Sequence, residues 1–401
     1  MNPRPSFKSE FADSRRPLAV QVVRQYAPNR GGLEDVVGNL SAELRKRGYR
    51  VRVVTLDRQF TALDKKLPER EMLKGVEVVR IPFRGSTRYP LAPAVFRHLA
   101  DADIVHVHAI DFFFDALSWG RFLHRKPLVA TTHGGFFHTR KFGAVKKIWF
   151  QTVTRLSALG YRYLVGCSAQ DTRAFQAIAG ERVVQIDNGV NIDKFAGAAS
   201  AFPVRRMVTL GRFSANKRLD NLLDTMQRLV RLQPDWRLDI VGIPGDITEA
   251  DLRRMIGERG LTGKVECHIG LPDSAIRALL GHCSLFASAS EYEGFGLVAV
   301  EAMSAGLMPL LHPNTAYSDL ASRHKEVRLC DFGAPEKAAA SIEAAFAELF
   351  TGANAYRLAA MQAAAAYSWE RVADRYAELY GHVLKSEPAS EEQLTLRHKR
   401  I

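Results

Sequence analysis

Ser290-Glu-Tyr-Glu-Gly-Phe-Gly-Leu-Val-Ala-Val-Glu-Ala-Met303 sets two carboxylates, Glu293 and Glu301, around a glycine turn that opens an apolar helix. The preceding stretch 283–289 is an apolar run of strand length and 297–305 is made of good helix formers, so the glycines fall at a strand-to-helix junction. A helix beginning near Phe295 places Glu301 about two turns in and leaves Glu293 in the loop. The free amides of Phe295, Gly296 and Leu297 at such a start can hold a diphosphate. Carboxylates beside it accept paired hydrogen bonds from the vicinal hydroxyls of a sugar. The pattern is that of a sugar-nucleotide pocket. Two glutamates at this spacing also arise as a helix cap and a solvated side chain; the YEGFG context and the following Ala302-Met-Ser-Ala-Gly306 favour the pocket.

The segment resembles the E-x7-E signature of the retaining family-4 glycosyltransferases, which have the two-domain GT-B fold. The resemblance implies that Glu293 faces the donor sugar and that Glu301 binds the ribose hydroxyls. It runs from about residue 18 to 380, and it implies an α/β architecture of two Rossmann-like domains facing across a cleft, with a C-terminal helix crossing back to the N-terminal domain.

The residues read the same way by themselves. Strand-like runs at 18–24, 51–56, 76–81, 104–108, 128–132 and 163–167 alternate with helical stretches, and a second series begins at 207–210 and continues through 238–241, 265–269, 285–287 and 308–311. Length alone favours two domains. The expected division is a flexible terminus over 1–17, an acceptor- and membrane-side domain over 18–190, and a linker over 191–203. A nucleotide-sugar domain follows over 204–366, then a crossover helix over 367–386 and a flexible tail over 387–401.

Other constellations fall at the carboxyl ends of these strands, where an open α/β sheet presents ligands. Gly31 and Gly32 follow the first strand and let backbone approach a phosphate, although an ordinary tight turn has the same look. Arg212 and Lys217 follow the first strand of the second series and supply countercharge for a diphosphate; Arg218 reads as a solvated charge. His133 stands at a strand end before paired glycines, with His138 five residues on. By resemblance the GGLED and GR…K elements bind donor phosphate, His133 contacts the donor sugar near the reacting centre, and Ser168 lies on the acceptor side. Within this reading Glu293, Lys217 and His133 form the catalytic set. Asp101-Ala-Asp103 and His106-Val-His108 imitate metal motifs, but the latter is a buried strand with no third ligand in sight, so no metal site is assigned.

Charge is uneven. Residues 1–190 carry 31 Lys and Arg against 17 Asp and Glu, whereas the remainder carries 25 against 26. A basic domain suits nucleic acid, an anionic membrane or a phosphorylated substrate, and the chain has no recognisable helix-turn-helix, zinc-finger or RNP pattern, so nucleic acid is set aside. The stretch 141–159 reads as an amphipathic helix with Lys141, Lys146 and Lys147 toward anionic lipid and Trp149 and Phe150 in the headgroup region; the bland alternative packs its apolar residues on the sheet. No run is long enough to span a bilayer and no secretory leader is evident. Four scattered cysteines, without a CxxC, read as buried thiols of a reducing compartment.

The HGGFFHT loop, Ser168, Lys217 and the glutamate pair resemble, in order and spacing, the bacterial exopolysaccharide α-mannosyltransferases. That implies GDP-mannose as donor and a polyprenyl-diphosphate-linked oligosaccharide as acceptor. The scattered cysteines, the lack of a leader and the basic amphipathic stretch set the expectation of a cytoplasmic protein held peripherally at the inner face of the cell membrane, and no cofactor is expected to be required. A UDP-hexose donor, a soluble enzyme with a small sugar acceptor, and a non-catalytic nucleotide-sugar or nucleic-acid binding protein remain the alternatives.

Overall fold

The structure is a computed structural model and describes residues 16–29, 31–134 and 147–385. The expected flexible tail over 387–401 and residues 1–15 of the expected N-terminal arm lie outside the described residues, as do Lys141, Lys146 and His138. The chain divides into two compact units, one of residues up to Asp187 together with Trp369 onward, the other of Asn188–Ser368.

The first unit is built on β1 (Leu18–Val22), β2 (Arg50–Leu56), β3 (Arg70–Leu73), β4 (Val76–Ile81), β5 (Ile104–His108), β6 (Leu128–Thr131), β7 (Tyr163–Gly166) and β8 (Val183–Gln185). They lie in the order β8-β7-β6-β5-β1-β2-β4-β3, all parallel except β3, which pairs antiparallel with β4. Both faces are covered, so β1 and β5 are buried along their whole length. Val, Ile and Leu dominate these strands, yet Gln21, His106 and His108 interrupt them. Around the sheet lie α1 (Gly32–Lys46), α2 (Phe112–Trp119), α3 (Arg121–His124), α4 (Arg155–Ala158) and α5 (Ala169–Ala179). Valines 36 and 37 with Leu40 and Leu44 form the inward stripe of α1 at helical spacing.

The second unit has β9 (Arg206–Leu210), β10 (Arg237–Gly242), β11 (Val265–Ile269), β12 (Leu285–Ser288), β13 (Met308–Leu311) and β14 (Arg328–Leu329), in the order β11-β10-β9-β12-β13-β14 and parallel throughout. Its helices are α6 (Leu219–Leu232), α7 (Glu249–Glu258), α8 (Asp273–Leu280), α9 (Leu297–Ala305), α10 (Thr315–Arg323) and α11 (Pro335–Ala364), the last broken by non-helical Gly352. Leu219, Leu222, Leu223, Met226 and Leu229 of α6 are buried against the sheet, each contributing about 1.5–3 kcal/mol by burial. Residues 191–203, read above as a linker, belong to this unit and bury Phe195 and Ala199 in it.

The last helix, α12 (Trp369–Lys385), returns to the first unit. It buries Val372, Ala373, Tyr376, Leu379, Tyr380 and Val383, a stripe whose repeat of three and four residues matches the helical turn. Arg47 at the end of α1 bonds Asp374 at 2.7 Å and the carbonyl of Glu370 at 2.6 Å. Cys167, Cys283 and Cys330 are buried and Cys267 is half-buried; all four are free thiols. Among the described residues no helix is long and apolar enough to cross a membrane.

Candidate active site

In each sheet the chain reverses its direction of travel beside the first strand, and this switch point is where α/β sheets bind ligands. In the second unit it lies between β9 and β12, whose following loops carry residues 211–218 and 289–296. The loops are tied together: the Glu291 N–H donates to the Asn216 carbonyl at 2.9 Å, the Asn216 amide to the Tyr292 carbonyl at 3.2 Å, and Arg218 to Glu291 at 2.6 Å. Lys217 is thereby placed with its Nζ 2.5 Å from Glu293 Oε1, both side chains largely withdrawn from solvent. The Tyr317 hydroxyl donates to the same oxygen at 3.2 Å and contacts Ser288 at 2.9 Å.

Gly296 has φ +90°, and a Cβ there would lie 2.8 Å from the Tyr317 ring, so only glycine fits the turn that brings Glu293 to this position. The helix begins at Leu297 rather than near Phe295, which puts Glu301 one turn in instead of two. Phe295 is a core residue, edge-on to Tyr367 at 5.6 Å, so only its backbone is left for a ligand. Glu301 is pushed up by burial, a shift opposed by Lys194, whose Nζ is 3.8 Å away. Arg212 is exposed on the 211–218 loop. Gly296 gives α9 no side-chain cap, leaving the first amides of this apolar helix to other acceptors.

In the first unit the switch point lies between β1 and β5. Gly31 caps α1 without a side-chain bond, and the Glu34 carboxylate folds over it, held by Asn29 at 2.6 Å. Gly32 is exposed beside it. His133, just past β6, has φ +53° and is followed by Gly134 at +67°. This left-handed pair is unfavourable for a histidine. Asp171 on α5 offsets the cost by accepting hydrogen bonds from the Thr132 hydroxyl and the Gly134 N–H. Burial lowers His133 to about 3, so its imidazole is neutral. Ser168 is the N-cap of α5 and its hydroxyl accepts from the Asp171 N–H at 3.2 Å. This bond helps position Asp171.

Two residues of the metal-like motifs are accounted for by protein partners. Asp101 accepts two bonds from Arg52, at 2.7 and 2.9 Å, and Asp103 accepts from the Leu18 N–H at 2.6 Å. His106 and His108 lie on one face of β5, as alternation requires, with ring centroids 4.1 Å apart and, among the described residues, no carboxylate as hydrogen-bond partner. Among the described residues a different trio, Asp239, Glu266 and His268, comes within 4.8 Å, but Arg206 already bonds both Asp239 oxygens at 2.6 and 2.9 Å.

Phe150 corrects the sequence reading. Helical turns from Lys147 to Ala158 include π-type geometry over Phe150–Thr154. The wider turn puts Phe150, Thr154, Ser157 and Ala158 on the inner face, and Phe150 packs edge-on to Phe175 at 5.0 Å, 3 % exposed. Lys147 and Trp149 stay outside with Ile148, Leu156 and Leu159. Trp119, Phe122 and Leu123 add exposed apolar surface from α2 and α3. The neighbouring helices are joined where Ser118 Oγ donates to the Ser157 carbonyl at 2.6 Å.

Two Rossmann-like units with ligand-presenting loops at their switch points give the chain the GT-B fold of glycosyltransferases. The chain belongs to the family-4 glycosyltransferases: the description "Glycosyltransferase Family 4" matches residues 30–194 and "Glycosyl transferases group 1" matches residues 202–354. It is 40 % identical over 375 residues to the GDP-mannose:cellobiosyl-diphosphopolyprenol alpha-mannosyltransferase of Xanthomonas campestris, covering 93 % of this chain and 98 % of that one. It is 40 % identical to the protein so named from Komagataeibacter xylinus, covering 91 % and 93 %. More distantly, it is 31 % identical to a phosphatidyl-myo-inositol mannosyltransferase of Mycobacterium tuberculosis, covering 69 % and 72 %. A glycosyltransferase structure from Rickettsia africae superposes with a TM-score of 0.68 at 18 % identity, covering 93 % and 100 %.

Proposed function

We propose that this protein moves mannose from GDP-mannose to a cellobiosyl-diphosphopolyprenol acceptor, with retention at the anomeric carbon, as a step of exopolysaccharide assembly. The observation that carries the reading is the 40 % identity to relatives so named, over nearly their whole length. The Lys217–Glu293 pair at the switch point supports it chemically.

Cleavage of the glycosidic phosphate bond builds negative charge on the departing diphosphate and positive charge on the sugar ring. Lys217, Arg212 and the open amides at the start of α9 oppose the first. Glu293, held by Lys217 and Tyr317, accepts hydrogen bonds from sugar hydroxyls, and Glu301 accepts from the ribose. Gly31 and Gly32 admit phosphate to the start of α1, where the Glu34 carboxylate now lies. The leaving phosphate oxygen takes the acceptor's proton, so the acceptor hydroxyl attacks the face that the diphosphate leaves. His133, neutral and held through Nε2 against His108, contacts the sugar. Ser168 acts through Asp171 on that loop.

An exposed apolar surface with Lys147 and Arg155 beside Ile148, Trp149, Leu156 and Leu159 supports docking on an anionic bilayer. This keeps the protein peripheral, on the leaflet where the polyprenyl acceptor is charged with sugar.

Thermal protection by GDP, UDP, ADP and their sugar conjugates tests the donor, followed by incorporation of labelled mannose into extractable lipid. Selective protection by GDP and GDP-mannose is expected. Selective protection by a UDP-sugar overturns the donor while leaving the class, and flotation without vesicle binding at low salt overturns the membrane surface.

A further inference from the structure

A chain of side-chain hydrogen bonds runs through the first unit. His133 Nε2 is 3.0 Å from His108 Nδ1, and His108 Nε2 is 2.7 Å from Gln21 Oε1. Gln21 Nε2 donates to the Tyr380 hydroxyl at 3.1 Å, which is 2.6 Å from His106 Nδ1. His106 Nε2 is 2.8 Å from Thr131 Oγ1, itself 3.0 Å from the Tyr376 hydroxyl. Gln21, His106, His108 and Thr131 are fully buried between the sheet and α12. Burial also keeps the three imidazoles neutral.

A neutral imidazole has one N–H, and a hydroxyl can serve in either sense, so these groups take their proton order from a neighbour. Gln21 is the exception: its oxygen only accepts and its nitrogen only donates. With the Gln21 oxygen facing His108, the His108 proton sits on Nε2 and its Nδ1 is bare. His133 must then donate from Nε2. Away from this branch, Tyr380 passes its proton to His106 Nδ1 and His106 donates from Nε2 to Thr131. Every link then has one donor and one acceptor; reversing the amide would reverse them all.

We propose that Gln21 is a positioning residue that sets the tautomer of His133 across His108, leaving the Nδ1 of His133 unprotonated as an acceptor for a sugar hydroxyl of the donor. The inference rests on the reading of His133 as a sugar contact. Neither Gln21 nor His108 touches the substrate in this account. Their effect is to decide whether His133 offers a lone pair or an N–H.

The test is long-range nitrogen–proton NMR on the full-length protein labelled at histidine, with the His133 signal assigned by its loss in His133→Ala. In wild type the proton is expected on Nε2; a proton on Nδ1 overturns the proposal without need of a variant. Gln21→Met removes the acceptor for His108, so the His108 proton moves toward Nδ1 and that of His133 is displaced to its own Nδ1. Transfer then falls about tenfold in kcat, the equivalent of one hydrogen bond, while GDP affinity measured by calorimetry stays within about twofold. An unchanged His133 tautomer in Gln21→Met, or a changed tautomer with unchanged kcat, also overturns it. If His133→Ala transfers mannose at the wild-type rate, the sugar-contact reading is what fails, and the NMR result still decides the tautomer.

Discussion

Lys217 Nζ lies 2.5 Å from Glu293 Oε1, although the two residues come from loops after different strands. Either one alone would be a half-buried charge without its partner, so their placement depends on both loops at once. Lys217→Met is expected to lower transfer by about 10²–10³ through loss of diphosphate countercharge. The same loss of countercharge weakens GDP binding, and Glu293 is freed to move. Initial rates and calorimetry on the folded variant check both; a rate within about threefold of wild type contradicts the role.

Glu301 is expected to act on nucleotide binding more than on transfer. Glu301→Gln replaces a charged acceptor for the ribose hydroxyls with a neutral one and weakens GDP binding about tenfold. By contrast Glu293→Gln leaves GDP affinity near wild type and lowers kcat. Measuring both constants on both variants separates the two glutamates; equal GDP affinity in wild type and Glu301→Gln rules out the ribose assignment.

Asp171→Ala removes the acceptor for the Thr132 hydroxyl and the Gly134 N–H. A buried donor left unpaired costs about 1–3 kcal/mol, and the left-handed backbone of His133 loses its tether. The expected result is a lower unfolding midpoint together with a fall in kcat. A variant of full activity would show that the loop keeps its form without Asp171.

Asp111 caps α2 by accepting from the Phe113 N–H at 2.9 Å, while its other carboxylate oxygen is buried with no hydrogen-bond partner among the described residues. Burial raises it from the ordinary aspartate value to about 7. Between those values the folded protein holds a proton that the unfolded chain has released, so this residue's contribution to stability falls as pH rises from about 4 to 7. The slope approaches about 1.4 kcal/mol per pH unit at most. Asp111→Asn keeps the cap and removes the titration. Chemical denaturation across this range is expected to show a flatter profile for the variant, with its gain in stability largest above pH 7; parallel profiles would contradict the shift.

Much of this was legible in sequence because the strands are apolar runs and glycines punctuate their ends. Leu18–Val22, Ile104–His108 and Met308–Leu311 stand out by composition alone. The edge strands Arg70–Leu73 and Arg328–Leu329 do not, being short and half-exposed, and their pairing is decided by the neighbouring strand. Glu293, Lys217 and His133 were marked by spacing and by resemblance. Gln21, Asp171 and Tyr317 were missed, since each acts on a residue far away in sequence and no local pattern announces it. A polar residue inside an apolar strand is the one signal that Gln21 did offer. Phe150 was misplaced because π-type turns alter the period on which an amphipathic face is read.

α12 gives the first unit a debt to the end of the chain. A ribosome that has delivered residues 16–187 has made the sheet but not Tyr376, Tyr380, Leu379 or Val383, which cover Val37, Val53 and the buried histidines. The second unit is continuous in sequence and completes itself during that wait. Synthesis order and assembly order therefore differ, and the buried histidines behind the His133 loop are covered only after the final helix has emerged.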